Sequence, residues 1–279
     1  MKKIIILGGS GFIGKSLKNY LNNTKNKKYK LISYSRTENK NILKIKKLPK
    51  SELIFYCIKS NKISESLKYF NHFKKLLKDN LTNTKIIFVS SGAVYGVRNK
   101  LKKFTEDDKI NINKLKNFKN KKYAKEKILL EKKFKILAKN NYKISIVRGF
   151  SFIGKNILLD KYFISQLINC IKLKKRILIQ NPYTFRSYMH ETDMCKWLIK
   201  IGENSSTDCP IYNVGSNKII NIAKLAHDLS IIYKFDLVIK KPKKIKHDFY
   251  VPSTNLANRK LKLKNTINIK HAIRQLLNK

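Results

Sequence analysis

Tyr123 and Lys127 stand four residues apart in the segment YAKEK (123–127), a spacing that puts both on one face of a helix, about a turn apart. A tyrosine phenol ordinarily ionises near pH 10, too high for ready proton exchange at neutral pH. A nearby ammonium favours the phenolate, and lowering the phenol from about 10 to about 7 takes roughly 4 kcal/mol of differential stabilisation. Lys127 and an oxidised nicotinamide ring would supply that together. The chemistry such a pair suits is proton exchange at an alcohol or carbonyl oxygen while hydride moves at the attached carbon. Ser91, in SSGAVYG (90–96), offers a hydroxyl that would hold the same oxygen. A Tyr and a Lys at this spacing recur by chance in a lysine-rich chain, so the pair gains weight only from its surroundings.

Hydride needs a carrier, and KIIILGGSGFIG (3–14) reads as the carrier's site. Ile4, Ile5, Ile6 and Leu7 show no polar alternation, which suits a strand buried on both faces; after Gly14, Leu17, Tyr20 and Leu21 return at helical spacing. Strand, glycine turn and helix are the order a dinucleotide phosphate loop requires. One glycine makes the turn, one lets backbone N–H groups reach the diphosphate, and one lets helix and strand pack closely, with the phosphates at the helix's positive end. Gly9, Gly11 and Gly14 meet one known spacing, and Gly8, Gly11 and Gly14 meet another. Phe12 and Ile13 lie within the loop and count among the cofactor-binding residues. About 20 residues further on, an NAD site normally presents an acid to the ribose 2′-hydroxyl. Here Ser35 and Arg36 stand there, a hydroxyl and a guanidinium that suit a 2′-phosphate. NADP(H) is therefore favoured, with NAD(H) possible because Glu38 could partly replace the acid.

The elements that must position these groups alternate in type. KLISYSR (30–36), ILKI (42–45), ELIFYC (52–57), KIIFVSS (85–91) and KISIVR (143–148) read as further strands. Helices are expected after residue 62 and over 121–139. That alternation predicts an α/β fold, a doubly wound parallel sheet over residues 1–150. Residues 151–279 read as a smaller, mainly substrate-binding lobe, partly interleaved with the first domain. It carries helices near 159–173, 191–201, 221–233 and 268–278 and strands at ILIQ (177–180) and IYNV (211–214). Ligands of such sheets bind in the crevice at the strands' carboxyl ends.

The formal net charge of +46 admits two readings. One is attraction to nucleic acid or an anionic surface. The other is compositional: only seven of the 63 cations are Arg, and Lys, Asn and Ile are what an AT-rich genome overproduces. The lysines spread over the whole length without a nucleic-acid module, which favours the second reading. The scarce arginines then mark places where a planar fork is wanted, among them Arg36, Arg148 and Arg186. Cys57, Cys170, Cys195 and Cys209 show neither CxxC nor His/Cys clustering, so no metal site or disulfide framework is indicated. MKKIIIL is too short for a signal peptide and no run of 18 apolar residues occurs, so a cytoplasmic protein without membrane insertion is expected.

Taken in order, GGSGFIG, SSGAVYG and YAKEK make the chain resemble, over nearly its full length, the extended short-chain dehydrogenase/reductase family. This is the NAD-dependent epimerase/dehydratase group acting on nucleotide sugars, with a Rossmann-like fold and a smaller substrate lobe. The resemblance implies catalytic roles for Ser91, Tyr123 and Lys127. IVRGFSFIG (146–154) is similar to the family's R-x-F-N-x-x-G segment, with Ser151 in place of Asn. FRSYMHETDM (185–194) is similar to R-D-x-x-H-x-x-D, with Ser187 replacing the acid. By that match Arg186 faces the nucleoside-phosphate part of the substrate and His190 is structural. Asp193 is expected to fix a helix start or local hydrogen bonds, and Glu131 to make a helix-surface or packing contact. YNVGS (212–216) and YVPSTNLANRKLKL (250–263) complete the match, with Ser253 and Thr254 where Asp is more usual.

Dehydratases of the family follow the catalytic hydroxyl residue with Asp-Glu; here Gly92 and Ala93 stand there, and neither moves a proton. Ser35 and Arg36 tilt the reading towards a 4-keto-sugar-nucleotide reductase acting at C4, as in pathways for surface polysaccharides. A nucleotide-sugar 4-epimerase is the alternative. A catalytically inactive NADP-binding protein or a basic nucleic-acid-associated protein stands behind both. The family also implies a possible homodimer through the Tyr-bearing helix, which Lys121, Lys122, Lys125, Lys132 and Lys133 make a poor apolar surface.

Overall fold

The apolar run that opens the chain is buried on both sides: Ile4, Ile5, Ile6 and Leu7 expose no surface. In the computed structural model, which describes residues 2–23, 29–35, 41–60, 62–77, 83–115, 120–157 and 162–278, this run is an interior strand of a six-stranded sheet. The first half comprises β1 (Lys2–Leu7), α1 (Phe12–Asn23), β2 (Tyr29–Tyr34), β3 (Leu53–Tyr56), α2 (Ile63–Leu77), β4 (Lys85–Ser91), α3 (Lys121–Lys139) and β5 (Lys143–Gly149). There follow β6 (Phe152–Ile153), α4 (Phe163–Leu173), β7 (Ile177–Ile179), β8 (Thr184–Arg186), β9 (Met189–His190), α5 (Glu191–Glu203) and β10 (Ile211–Val214). The chain ends with β11 (Ile220–Asn221), α6 (Ile222–Tyr233), β12 (Leu237–Ile239), β13 (Asp248–Phe249), α7 (Asn255–Leu261) and α8 (Ile269–Leu277).

The main sheet runs β10-β5-β4-β3-β1-β2, every pair parallel. Alternate residues of β1 serve opposite faces. Ile5 and Leu7 join Phe73 of α2 and Phe134 of α3 on one side; Ile4 and Ile6 join Trp197 and Leu198 of α5 on the other. A third core of Ile164, Leu167, Leu229 and Ile273 holds α4, α6 and α8 together in the smaller part. The chain passes from β2 across β1 to β3, so the topological switch opens beside the carboxyl end of β1.

Two expected strands differ. ILKI is no strand: Ile42–Lys44 is a single 3-10 turn, fixed because the Asn41 side chain accepts the Leu43 N–H at 2.9 Å while Ile42 plugs into the core. IYNV is not a strand of the lobe but the sixth strand of the main sheet, paired with β5 from Ile211–Ile146 to Val214–Gly149. Its Tyr212, Asn213 and Val214 are buried, so it resembles the other doubly covered strands. Among the described residues no helix is long and apolar enough to cross a membrane.

Candidate active site

The glycine turn leaves β1 with Gly8 at φ +97°, a backbone conformation that side chains rarely adopt. Here the N–H groups of Gly8 and Gly9 both donate to the Tyr34 carbonyl, at 2.8 and 3.0 Å. A Cβ on Gly8 would lie 2.8 Å from the Cys57 carbonyl carbon, and one on Gly14 would run into the Gly8 carbonyl, so these two serve the turn and the close approach of α1. At Gly11 an added Cβ would meet nothing nearer than the Gly8 carbonyl oxygen at 3.6 Å. The loop is thus bare where a diphosphate would approach. No acidic residue occupies the first turn of α1, whose positive end suits a phosphate. The chain therefore fits a dinucleotide cofactor at this loop. Phe12 stacks on Phe152, rings 6.2 Å apart, and Ile13 packs on the core below. Ser35 is buried and bridges to Asn41, whereas Arg36 and Glu38 lie outside the described residues.

Ser91 ends β4 and caps the following 3-10 turn, accepting the Ala93 N–H at 3.2 Å. Tyr123 lies in the first turn of α3 and packs against the cluster of Ala93 and Val94 in the turn that Ser91 caps. Lys127, one turn on and 2% exposed, places its Nζ 5.6 Å from the centre of the Tyr123 ring. That ammonium donates to the Ile58 carbonyl at 3.3 Å and sits 4.0 Å from Glu126 Oε1. Ile58 belongs to the segment after β3 that Gly8 abuts, so the Tyr–Lys pair and the glycine turn share one wall. Expected residues Ser91, Tyr123 and Lys127 are thereby brought together beside Gly8.

The protein alone pushes this phenol above its ordinary value. Burial pushes Tyr123 up, the nearby Ser91 hydroxyl pulls it down, and Glu126 and Tyr162 push it up again. Burial pushes Lys127 down, while Glu126 opposes that. Glu126 is itself buried, accepting the Ser66 hydroxyl at 2.7 Å.

Two further residues border the site. Lys59 holds its Nζ 5.0 Å from the Tyr123 ring centre, and the Tyr250 hydroxyl would lie 2.7 Å from a Cβ built on Gly92, the residue after Ser91. Neither stood out in the sequence, because Lys59 is one lysine among many and Tyr250 arrives from 127 positions beyond Tyr123. The aromatic opening of YVPSTNL was the only signal.

Arg186 does not present a bare fork. Its two terminal nitrogens grip Asp248 at 2.9 and 2.8 Å, and it also donates to the Phe185 carbonyl. Arg148 is buried structure: Nε and Nη2 reach Glu131 at 3.1 and 2.8 Å, and Nη1 reaches the Tyr95 hydroxyl at 2.7 Å. Glu131 is 3% exposed and also accepts the Ser90 hydroxyl; of the two contacts expected for it, helix-surface or packing, it makes a buried one, as the counterion of Arg148. His190 caps α5 by accepting the Thr192 N–H, and buried Asp193 takes the Thr266 and Ile267 N–H groups at 2.7 and 3.0 Å. Both are structural. Cavities of about 500 and 720 Å³ open elsewhere, the first against α1 and α5 and the second around residues 97–111, and neither includes Ser91, Tyr123 or Lys127.

Residues 73–215 match the model of the NAD dependent epimerase/dehydratase family, just over half of the 279-residue chain. No curated protein sequence matches the chain. Among solved structures it is similar in fold to dTDP-glucose 4,6-dehydratase from Bacillus anthracis in complex with NAD, at 15% identity and a TM-score of 0.81, covering 100% of this chain and 96% of that one. RMD from Pseudomonas aeruginosa complexed with NADPH gives 17% identity and a TM-score of 0.78, covering 100% and 98%. UDP-glucose 4-epimerase from Thermotoga maritima with UDP-glucose gives 16% and 0.75, covering 99% and 97%.

Proposed function

The chain belongs to the NAD dependent epimerase/dehydratase family, and from that premise we propose that it is an NAD(P)-dependent enzyme moving hydride at a nucleotide-sugar carbon, C4 in our assignment. The favoured reaction is reduction of a 4-keto-sugar nucleotide with NADPH. The observation that carries this reading is the meeting of Tyr123, Ser91 and Lys127 on the wall that the glycine turn abuts. Similar solved structures hold NAD, NADPH or UDP-glucose, which supports a dinucleotide and a nucleotide sugar as the two ligands.

Each residue then has a task. Gly8, Gly11 and Gly14, with the amino end of α1 at Phe12 and Ile13, hold the diphosphate. Ser35 and Arg36 take the adenosine ribose and its 2′-phosphate. Lys127, fixed on the Ile58 carbonyl, holds the nicotinamide ribose and keeps positive charge beside the phenol. Tyr123 gives a proton to the sugar oxygen in reduction and takes it back in oxidation; Ser91 holds the same oxygen. The cofactor, when bound, supplies the hydride and, in its oxidised form, a positive ring that favours the phenolate. Gly92 and Ala93 bring no group that moves a proton, which argues against water elimination. Arg186, steadied by Asp248, meets the nucleotide's phosphates with its charge partly cancelled.

Native mass spectrometry of the purified protein tests this. A reductase emerges without cofactor and takes up NADPH in preference to NADH. Tightly retained NAD(H) transfers the reading to a 4-epimerase, and failure to bind any nicotinamide dinucleotide overturns it.

A further inference from the structure

Glu126 and Lys127 are consecutive on α3, so helical geometry turns their side chains about 100° apart and does not by itself make them meet. Both are nonetheless buried, 3% and 2% exposed, where α2 packs on α3 through the Phe70 and Phe134 rings, 5.2 Å apart. A carboxylate out of water is costly unless it is paired and hydrogen-bonded. The obvious pairing is contact with the neighbouring ammonium, at about 2.8 Å. The gap is instead 4.0 Å. The carboxylate oxygen nearest Lys127 is Oε1, and that same atom accepts the Ser66 hydroxyl at 2.7 Å. Ser66 is itself buried, so a third residue holds the pair apart away from solvent.

The gap matters for what the ammonium can still do. Lys127 has three hydrogens, and its one hydrogen bond among the described residues goes to the Ile58 carbonyl at 3.3 Å. The Phe88 and Tyr123 rings lie 5.3 and 5.6 Å from its Nζ and take no full hydrogen bond. Contact with Glu126 would spend a second hydrogen and cancel the charge. A carboxylate at 4.0 Å supplies a counter-charge that favours the protonated amine and spends none.

We propose that Ser66 and Glu126 are positioning residues for Lys127. The Ser66 hydroxyl keeps the carboxylate ionised and short of contact, which leaves Lys127 charged and free to donate to the cofactor's ribose. The inference rests on the reading of Lys127 as the residue that holds that ribose. No proton passes among the three groups in this role. Cys57, Lys59 and Glu131 are the other titratable groups near the ammonium, and every comparison below leaves them in place.

The test is the dissociation constant of NADPH, read from its own fluorescence on the full-length protein, with folding of each variant checked by urea unfolding. Ser66→Ala frees Glu126 to close on Lys127 and should weaken NADPH binding by about tenfold, the worth of one hydrogen bond to a charged group. Glu126→Gln removes the charge that would close, so in that background Ser66→Ala should change the constant by less than about twofold. Equal losses in both backgrounds would mean that the serine acts by packing and overturn the proposal, as would wild-type affinity in Ser66→Ala. If Ser66→Ala does not fold, Ser66→Cys, which keeps the volume and donates only weakly, must show the same loss and the same cancellation. Lys127→Met separates the inference from its premise. Weakened binding there, with no effect of Ser66→Ala, sinks the inference alone; unchanged binding in Lys127→Met removes Lys127 from the ribose and overturns both.

Discussion

One face of α3 carries Tyr123, Lys127 and Glu131 at four-residue intervals, and its two ends are built on opposite plans. At the Glu131 end every polar group has its complement. The carboxylate takes the Arg148 fork and the Ser90 hydroxyl, and the Tyr95 hydroxyl receives from Arg148 and donates to Asn213 at 3.0 Å. Charge is cancelled in place, which makes this end rigid and chemically silent. At the Tyr123 end, burial pushes the Tyr123 and Tyr250 phenols up and the ammonium of Lys127 down, and nothing cancels the Lys127 charge at closer than 4.0 Å among the ion pairs of the described residues. Neighbouring serines mark the border: Ser90 serves the closed network, Ser91 the open one. The same helix thus anchors itself with one turn and leaves another in a state that a bound charge can tip.

The largest effect that would break this contrast is on stability. Glu131→Ala strands a buried guanidinium and should cost about 3–5 kcal/mol, read by urea unfolding. A loss below about 1 kcal/mol would mean that the closed end is no better paired than an exposed salt bridge. A smaller change sharpens the contrast from the other end. Glu126 pushes the Tyr123 phenol up, so Glu126→Gln, which can keep the Ser66 hydrogen bond, should lower the titration midpoint of Tyr123 by less than about one pH unit. The sign is fixed: removing a negative charge favours the phenolate, so more Tyr123 is deprotonated at a given pH. An upward shift would show that Glu126 acts on Tyr123 by packing and not by charge.

Much of the fold was legible because strands covered on both faces leave unbroken apolar runs, as in Ile4 to Leu7 and again from Ile86 to Val89. The glycine turn was legible for a related reason, since Gly8 and Gly14 stand where a Cβ collides with backbone. ILKI misleads because three apolar residues in four suit a strand, yet a side-chain cap from Asn41 and one anchoring isoleucine suffice for a turn. IYNV reads as a strand, but which sheet it joins is a tertiary matter. Glu131 was legible only as a helix-surface or packing contact, because an acid one turn after a lysine does not show its partner. Its true partner, Arg148, sits on β5 and meets it only once β5 and α3 have packed. Lys59 and Tyr250 reach Tyr123 and Gly92 from distant segments, so no spacing could reveal them.

The central claim is that Tyr123 handles the proton while the glycine turn holds the cofactor, and Tyr123→Phe separates these two tasks. NADPH consumption with UDP- and dTDP-linked 4-keto sugars should fall by about 10²- to 10⁴-fold in this variant, while the dissociation constant for NADPH stays within a few fold of wild type. Turnover at the wild-type rate in Tyr123→Phe would contradict it.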